Sequence, residues 1–169
     1  TGAENLLSSM EDILLWSKGQ MENFKPQPKN VNVNQLFEDT QKAFSGYHKI
    51  QFEYFNPYNI TIFTDENYLK TIVRNLTSNA INVSTVTENP TIIWKAWQEN
   101  GISYLSISDN GSGASSNRFK ALYDDKEVVG IKSGLGLHLI RDFAKVINCK
   151  IEVDSKINKG TTFTLSFIK

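Results

Sequence analysis

The sequence predicts a two-layer α+β domain, in which helices cover one face of a mixed, largely antiparallel sheet, with one long helix before it. Three observations lead to this prediction. Helix-like and strand-like patterns follow one another irregularly along the 169 residues. Residues 91–98 and 102–108 alternate around Glu99-Asn100-Gly101, which is a hairpin signal. Residues 65–84 instead repeat apolar side chains every 3.6 residues, which indicates an amphipathic helix.

The composition excludes several classes of function. The formal net charge is zero, from 18 basic and 18 acidic side chains, and no basic block is interleaved with aromatic residues, so we expect no nucleic-acid partner. Cys149 is the single cysteine, which excludes disulfides and cysteine-ligated metals and fits a reducing, cytoplasmic compartment. Apolar runs stay below the roughly 18 residues of a membrane span, so we expect no membrane contact by this chain. Because the sequence starts at Thr1, we expect a piece of a larger protein.

The first predicted element is a helix over residues 3–24. Prolines at 26 and 28 stop it, because proline removes a backbone donor. We therefore divide the chain into an N-terminal helix (1–25), a linker (26–31) and a domain (32–169). The helix either packs on the core of this domain or, as the linker favours, pairs with a partner helix. Its apolar spacing is that of a helical bundle, carried by Ala3, Leu7, Met10, Leu14, Ser17, Met21 and Phe24.

Capping and turn signals set the remaining elements. Asn32 caps a helix, with Gln35 as its capping-box partner, and Asp65 opens the helix over 65–84. The other predicted elements are strands over 50–55, 60–64, 150–153 and 161–167 and a helix over 135–147.

Three asparagines form a stripe at the edge of the apolar face of the 65–84 helix. Asn75, Asn79 and Asn82 stand at positions i, i+4 and i+7. Asparagine costs up to about 0.7 kcal/mol relative to alanine inside a helix, so three of them need a reason. An amide oxygen is a hard, neutral ligand that suits Mg²⁺. Chance alignment in an asparagine-rich chain is the alternative, and this helix alone leaves both open.

A second group of candidate residues ends the strand over 102–108. Asp109 continues an apolar row with Leu105 and Ile107, and a carboxylate in such a row needs a hydrogen-bond donor. The following Asn110-Gly111-Ser112-Gly113 contains glycines that let the backbone approach a ligand closely. The alternative is an Asn-Gly hairpin turn, but no returning strand follows.

A third group is Ser133-Gly134-Leu135-Gly136-Leu137-His138, a glycine-rich turn that opens a helix. Free N–H groups and the helix dipole suit phosphate there, although glycine at a helix start also serves tight packing. His138 is a candidate base, but we interpret it, like His48, as an ordinary structural side chain.

In this order the three groups resemble the catalytic and ATP-binding domain of two-component sensor histidine kinases, whose fold is shared with gyrase and heat-shock chaperone ATPases. Asn75-Leu76-Thr77-Ser78-Asn79-Ala80 is similar to the N box of that family. Asp109, Gly111 and Gly113 are similar to its first glycine box, and Gly134-Leu135-Gly136-Leu137 to its second.

The resemblance extends over residues 30–169 and implies a two-layer α/β sandwich that binds ATP and Mg²⁺. Asn79 would ligate Mg²⁺ at the phosphates, Asn75 would line the same site, and Asp109 would accept a hydrogen bond from the adenine amino group. Hydrolysing relatives carry a glutamate where this chain has Asn75, so the amide implies transfer to a histidine instead of hydrolysis. Residues 114–133 would be an ATP lid that is poorly ordered without nucleotide. Further implied nucleotide contacts are Gly111, Gly113, Asn82, Lys132, Gly134, Leu135, Gly136, Leu137 and Thr162.

The resemblance also implies partners. Residues 3–24 resemble the second helix of the dimerisation and phosphotransfer hairpin, so we expect a homodimer through this helix. The acceptor histidine would lie on an upstream helix. The full-length, membrane-anchored kinase would pass the phosphoryl group to the receiver domain of a response regulator, with the present chain in the cytoplasm.

Three departures from the family pattern keep another function open. Asn82 stands where the family often has a phosphate-contacting Lys or Arg, and Lys132 where the second glycine box usually begins with glycine. Tyr123 followed by Asp124-Asp125-Lys126 does not complete the aromatic box of the lid. The alternative is a degenerate, non-catalytic module of the same fold, and a serine-directed kinase or ATPase is a second one.

Overall fold

The computed structural model describes residues 2–122 and 136–168. Its helices are α1 (Gly2–Gly19), α2 (Val33–Ala43), α3 (Glu66–Ser84) and α4 (Leu137–Val146), with a 3₁₀ segment over Ser116–Leu122. Its strands are β1 (Pro28–Asn32), β2 (Gln51–Phe55), β3 (Thr61–Asp65), β4 (Thr91–Glu99), β5 (Ile102–Asp109), β6 (Cys149–Lys156) and β7 (Gly160–Ile168). None of the helices in these ranges has the length and apolar character needed to cross a membrane.

The described strands form two sheets. Five of them make a mixed sheet in the order β2-β4-β5-β7-β6, with β2 parallel to β4 and the other neighbours antiparallel. β1 and β3 make a separate antiparallel pair. Asn100 and Gly101 turn the β4–β5 hairpin with φ of 53° and 78°, the left-handed geometry that a tight hairpin needs. The predicted α+β class is therefore confirmed.

Helices α3 and α4 pack on the face of the five-stranded sheet that carries the core. Trp94 of β4 is fully buried on this face, whereas its neighbour Lys95 points to the other face and is exposed. The Trp94 indole Nε1–H donates to Thr77 Oγ1 of α3 at 3.1 Å, which satisfies two buried polar groups at once. The core side chains of the two helices include Leu69, Ile72, Leu76, Ile140 and Phe143.

The N-terminal helix is shorter than predicted. α1 ends at Gly19, and turns follow in which Gln20 N–H donates to the Ser17 carbonyl and Phe24 N–H to the Met21 carbonyl. Glycine commonly ends a helix because its backbone leaves the helical conformation at low cost. The apolar residues beyond Gly19 therefore do not belong to the helix. The chain turns back after Gly19, and the centroid of the Phe24 ring lies 5.7 Å from that of the Tyr68 ring.

The predicted linker over 26–31 is partly a strand. β1 begins at Pro28 and pairs with β3, so the strand predicted over 60–64 has β1 as its partner. Gln27 N–H donates to Asp65 Oδ2 at 2.9 Å. Asp65 Oδ1 accepts from Asn67 N–H, as predicted for the cap of α3. This single carboxylate therefore joins the segment after α1 to the start of α3.

The capping box at the start of α2 is half formed. Asn32 Oδ1 accepts from Gln35 N–H at 3.0 Å, which confirms the predicted cap. The Gln35 side chain, however, donates to Asp39 Oδ1 one turn further along the helix. The reciprocal bond from Gln35 to Asn32 is therefore replaced by an i, i+4 pair on the helix surface.

One face of α1 packs against the domain, and the linker does not detach it. Trp16 Nε1–H donates to Asp142 Oδ2 of α4 at 2.8 Å, and the Tyr68 hydroxyl donates to the Leu15 carbonyl at 3.2 Å. Asp12 forms an ion pair with Arg74 of α3. Packing on the domain therefore applies to this face, whereas pairing of the helix with a partner stays a prediction. Other α1 side chains that are exposed are Met10, Ile13 and Leu14, and Met21 after the helix is exposed as well.

Candidate functional site

A cavity of about 150 Å³ opens between α3 and the glycine-rich segment after β5. Sites for whole drug-sized ligands measure about 300–1,000 Å³, so this cavity has room for one end of a larger ligand. Its walls are mostly apolar, and its polar groups come from a few side chains. The described lining residues are Leu76, Asn79, Ala80, Val83, Ile107, Asp109, Ser112, Gly113, Ala114, Arg118, Phe119, Thr161 and Phe163.

Asp109 is the carboxylate of this cavity. It is the last residue of β5, and its Oδ1 accepts the Gly111 N–H at 2.9 Å. Burial raises the pKa of Asp109, and hydrogen bonds from the Gly111 and Thr161 amides lower it in part. A carboxylate in this setting is suited to accept a hydrogen bond from a neutral N–H donor of a ligand.

The two glycines after Asp109 allow the backbone to run close to its surroundings. A Cβ on Gly113 would lie 2.0 Å from the Lys156 carbonyl oxygen, and the residue has φ of +66°. A Cβ on Gly111 would lie 2.9 Å from Asp109 Oδ1 and 3.1 Å from Val83 Cγ2. A side chain at Gly111 would therefore displace a wall of the cavity, and one at Gly113 would collide with the backbone where β6 ends.

The three asparagines of α3 have three different surroundings. Asn79 is buried and lines the cavity together with Asp109. Asn75, one turn earlier, is half-buried beside Asp12 and is not a lining residue. Asn82 is exposed and also stays outside the cavity. The three asparagines therefore follow one another along α3 as predicted, but of the three it is Asn79 that lines the cavity with Asp109.

Thr161 lines the cavity, where the sequence led us to expect Thr162. Thr161 pairs with Asp109 across β5 and β7, which places it beside the carboxylate. Thr162 faces the other side of the sheet, where its hydroxyl shares a 2.8 Å hydrogen bond with Ser108. Neither His48, which is exposed, nor His138, which is half-buried, lines the cavity.

The second glycine box is described from Gly136 onward. Gly136 has φ of 59° and precedes α4, whose N terminus has no side-chain cap, and Leu137 is buried. Lys132, Gly134 and Leu135 lie outside the described residues, as do Tyr123, Asp124-Asp125-Lys126 and the remainder of the predicted lid up to 133.

The described start of the predicted lid is packed against the sheet. The Phe119 ring meets the Phe163 ring edge-on, with 5.8 Å between the centroids, and both residues line the cavity. Leu122, at the end of the 3₁₀ segment, is also buried. Three residues of this segment therefore contribute to the cavity wall: Ala114, Arg118 and Phe119.

A magnesium ion fits these residues only in combination with a ligand. No three His, Cys, Asp or Glu side chains come together in ranges 2–122 and 136–168, so these side chains do not build a protein-only metal cage there. Mg²⁺ commonly takes one or two protein oxygens and completes its shell with phosphates and water. Asn79 supplies such an oxygen from the cavity wall.

Comparisons with known proteins agree with this fold. The family model described as "Histidine kinase-, DNA gyrase B-, and HSP90-like ATPase" matches residues 64–169. The autoinducer 2 sensor kinase/phosphatase LuxQ of Vibrio vulnificus (strain YJ016) is 28% identical over 185 residues, which covers 96% of this chain. The chain spans about a fifth (21%) of the length of that relative.

Solved structures share the fold at low sequence identity. Full-length ShkA in complex with AMPPNP superposes with a TM-score of 0.75 at 20% identity, covering 98% of this chain and 36% of that chain. Histidine kinase ThkA in complex with the response regulator protein TrrA superposes with a TM-score of 0.71 at 18% identity, covering 97% of this chain and 48% of that chain.

Proposed function

Because the chain belongs to the histidine kinase-, DNA gyrase B- and HSP90-like ATPase family, we propose that it binds Mg-ATP and donates the γ-phosphoryl group to a histidine of its parent kinase. The observation that most directly supports this proposal is that Asp109 and Asn79 line the same cavity between α3 and the glycine-rich segment. The acceptor would stand on a separate helix of the parent protein, and the reaction would be the first step of two-component signal transduction.

The cavity suits the adenine end of the nucleotide. Ile107 and Phe163 give the apolar contact that a flat base needs, and Asp109 gives an acceptor for its amino group. The small volume matches a base better than a whole nucleotide. The ribose and phosphates would then extend out of the cavity, toward Asn79 and the start of α4.

The phosphate end would be held by Asn79 and by backbone groups. Asn79 would contribute one oxygen to Mg²⁺, which neutralises phosphate charge when it is bound. Gly136 and Leu137 open α4, and a helix N terminus without a side-chain cap favours an anion. The sequence motif adds three further residues to the proposed phosphate contacts: Gly134, Leu135 and Lys132.

Asn75 favours transfer over hydrolysis. An amide cannot take a proton from water, so this position supplies no general base. The neighbouring carboxylate, Asp12, is ion-paired with Arg74. Positioning and charge neutralisation, which are the main requirements of phosphoryl transfer, remain available from the residues described above.

Two partners follow from the proposed reaction. The receiver domain of a response regulator would take the phosphoryl group from the phosphohistidine, and one solved relative is itself a complex with a response regulator. A second copy of the chain would pair through the exposed face of α1. The competing proposal is a degenerate module of the same fold, and Asn82, which is exposed and uncharged, is the feature that favours it.

Calorimetric titration with ATP, with and without Mg²⁺, tests the proposal. Asp109→Asn should weaken ATP binding about 10- to 150-fold, since a hydrogen bond to a charged group is worth roughly 1.5–3 kcal/mol. Asn79→Ala should weaken binding mainly when Mg²⁺ is present. A matched control is Asn67→Ala, an exposed asparagine at the start of the same helix that does not line the cavity, which should bind ATP like the parent. Unchanged affinity in both site variants would reject the site.

A further inference from the structure

We infer that Arg118 is a nucleotide-binding residue whose guanidinium contacts the phosphates. The inference rests on the proposed function and assigns a residue that the sequence motifs do not contain. Among the described residues that line the cavity, two carry charge: the acid is Asp109 and the base is Arg118. A ligand with a hydrogen-bond donor at one end and negative charge at the other fits this pair.

The position of Arg118 is fixed by its neighbours. It lies in the 3₁₀ segment Ser116–Leu122, where its N–H donates to the Ser115 carbonyl at 3.1 Å. The next residue, Phe119, is buried against Phe163 in the cavity wall. The segment is therefore anchored, while Arg118 itself is exposed and stands at the mouth of the cavity.

The two basic side chains of α3 itself, both in the described part of the chain, are already paired: Lys70 with Glu66, and Arg74 with Asp12. In the described part of the chain, Arg118 has no carboxylate partner within ion-pair distance. Its guanidinium can therefore form the paired N–H···O bonds that arginine makes with phosphate oxygens.

Arg118 could also contact the base of the nucleotide instead of its phosphates, and an experiment distinguishes the two contacts. A guanidinium can also stack on the face of the base, which would stabilise adenosine and ATP alike. Contact with the phosphates instead stabilises ATP and ADP but not adenosine. The number of phosphates on the ligand therefore decides which contact Arg118 makes.

The experiment compares the parent chain with Arg118→Gln, Arg118→Lys and the control Lys120→Gln. Lys120 is an exposed cation on the same segment that does not line the cavity. Affinities for ATP, ADP and adenosine are measured by calorimetry, directly or by displacement, with Mg²⁺ constant. Arg118→Gln should weaken ATP and ADP about 10-fold or more and leave adenosine within about 2-fold. Arg118→Lys should retain part of the affinity, and Lys120→Gln all of it.

Each other outcome overturns the inference in a distinct way. Equal losses for adenosine and ATP in Arg118→Gln would assign stacking instead of phosphate contact. Parent-like affinity for all three ligands, while Asp109→Asn still weakens ATP, would reject Arg118 and keep the proposed function. Absence of any adenine-nucleotide binding by the parent chain would overturn both. Thermal unfolding of each variant checks folding, which substitution of an exposed side chain should preserve.

Discussion

Asp12 of α1 and Arg74 of α3 form an ion pair that joins the N-terminal helix to the helix carrying the asparagines. The two side chains are unequally covered: Asp12 is 11% exposed and Arg74 is 34% exposed. Burial raises the pKa of Asp12, while the Arg74 charge and the Asn75 side chain lower it in part. Loss of the Arg74 charge should therefore destabilise the fold more than loss of the Asp12 charge.

This inequality predicts an asymmetric double-mutant cycle. Arg74→Gln should destabilise the chain by about 1–3 kcal/mol, because it leaves a buried carboxylate without its cation. Asp12→Asn should cost less than about 1 kcal/mol, since the partly exposed Arg74 regains water. The double variant should recover most of the Arg74→Gln loss. Urea unfolding measures all three, with Glu22→Gln, at an exposed acid that does not act on Asp12, as a control. A larger cost for Asp12→Asn than for Arg74→Gln would contradict this account.

The pH dependence of nucleotide binding should follow Asp109. Its pKa is raised by burial, so the carboxylate is protonated at a higher pH than an exposed aspartate with a pKa of about 3.9. Protonation removes the negative charge that makes this carboxylate a strong acceptor, so affinity for ADP should fall as the pH decreases through this raised pKa. Asp109→Asn should bind weakly without that dependence. The exposed Asp154→Asn, as control, should keep the parent profile in a calorimetric series.

The contribution of Asp109 to the stability of the ligand-free chain should depend on pH in the opposite way, because it decreases as the pH rises. A raised carboxyl pKa means that the contribution of Asp109 to folding is fully present below its unfolded pKa and is lost as the pH rises through the folded pKa. The melting temperature of Asp109→Asn should therefore approach or exceed that of the parent at neutral pH and lose this advantage in acid. A parent chain that gains stability relative to Asp109→Asn as the pH rises would contradict the assigned cause of the shift.

Gly113→Ala should unfold or strongly destabilise the chain, by about 3 kcal/mol or more. Its Cβ would lie 2.0 Å from the Lys156 backbone oxygen, and φ is +66°. Gly101→Ala is the matched control, because φ there is +78° but nothing lies within 4 Å of the added Cβ. This control should cost only the backbone strain, about 1 kcal/mol. Equal losses in urea unfolding would show that strain alone, and not close approach, fixes Gly113.

Much of the fold is predicted by local signals. Asp65 as a helix cap and Asn100-Gly101 as a hairpin turn need only neighbouring residues. Non-local pairing is harder: the parallel pairing of β2 with β4 joins strands that are separated by the whole of α3. The docking of α1 likewise depends on contacts such as Trp16 with Asp142, which no sequence spacing indicates.

The candidate site shows the same division. The sequence predicts Asp109 as a site residue because a carboxylate continues the apolar row of its strand, and Asn79 because it belongs to the asparagine stripe at the edge of the apolar face of its helix. The choice between Thr161 and Thr162 depends on strand register, where a shift of one residue reverses the face of every side chain. Arg118 breaks no pattern, since an exposed arginine in a polar segment is ordinary. Its place at the cavity is visible only in three dimensions.

The exposed face of α1 predicts self-association. Met10 is 54% and Leu14 68% exposed, and each would contribute about 1.5–3 kcal/mol if a partner fully covered it. Leu14→Glu should shift the chain toward the monomer in sedimentation equilibrium. Val86→Glu, a control at an exposed apolar residue outside α1, should not. A parent chain that stays strictly monomeric at high concentration would contradict pairing through this face.

Incubation with Mg-ATP should leave this chain without phosphohistidine. It contains two histidines, His48 and His138, and neither lines the cavity that holds Asp109. Acid-labile phosphate, followed with radiolabelled ATP, should stay at the level of a His48→Gln/His138→Gln variant. Under the proposed function, adding a helix that carries the acceptor histidine should allow transfer, because phosphoryl transfer needs a nucleophile positioned at the γ-phosphate. Stoichiometric phosphohistidine on the present chain would show that the acceptor is one of these two side chains and would reject the separate acceptor helix.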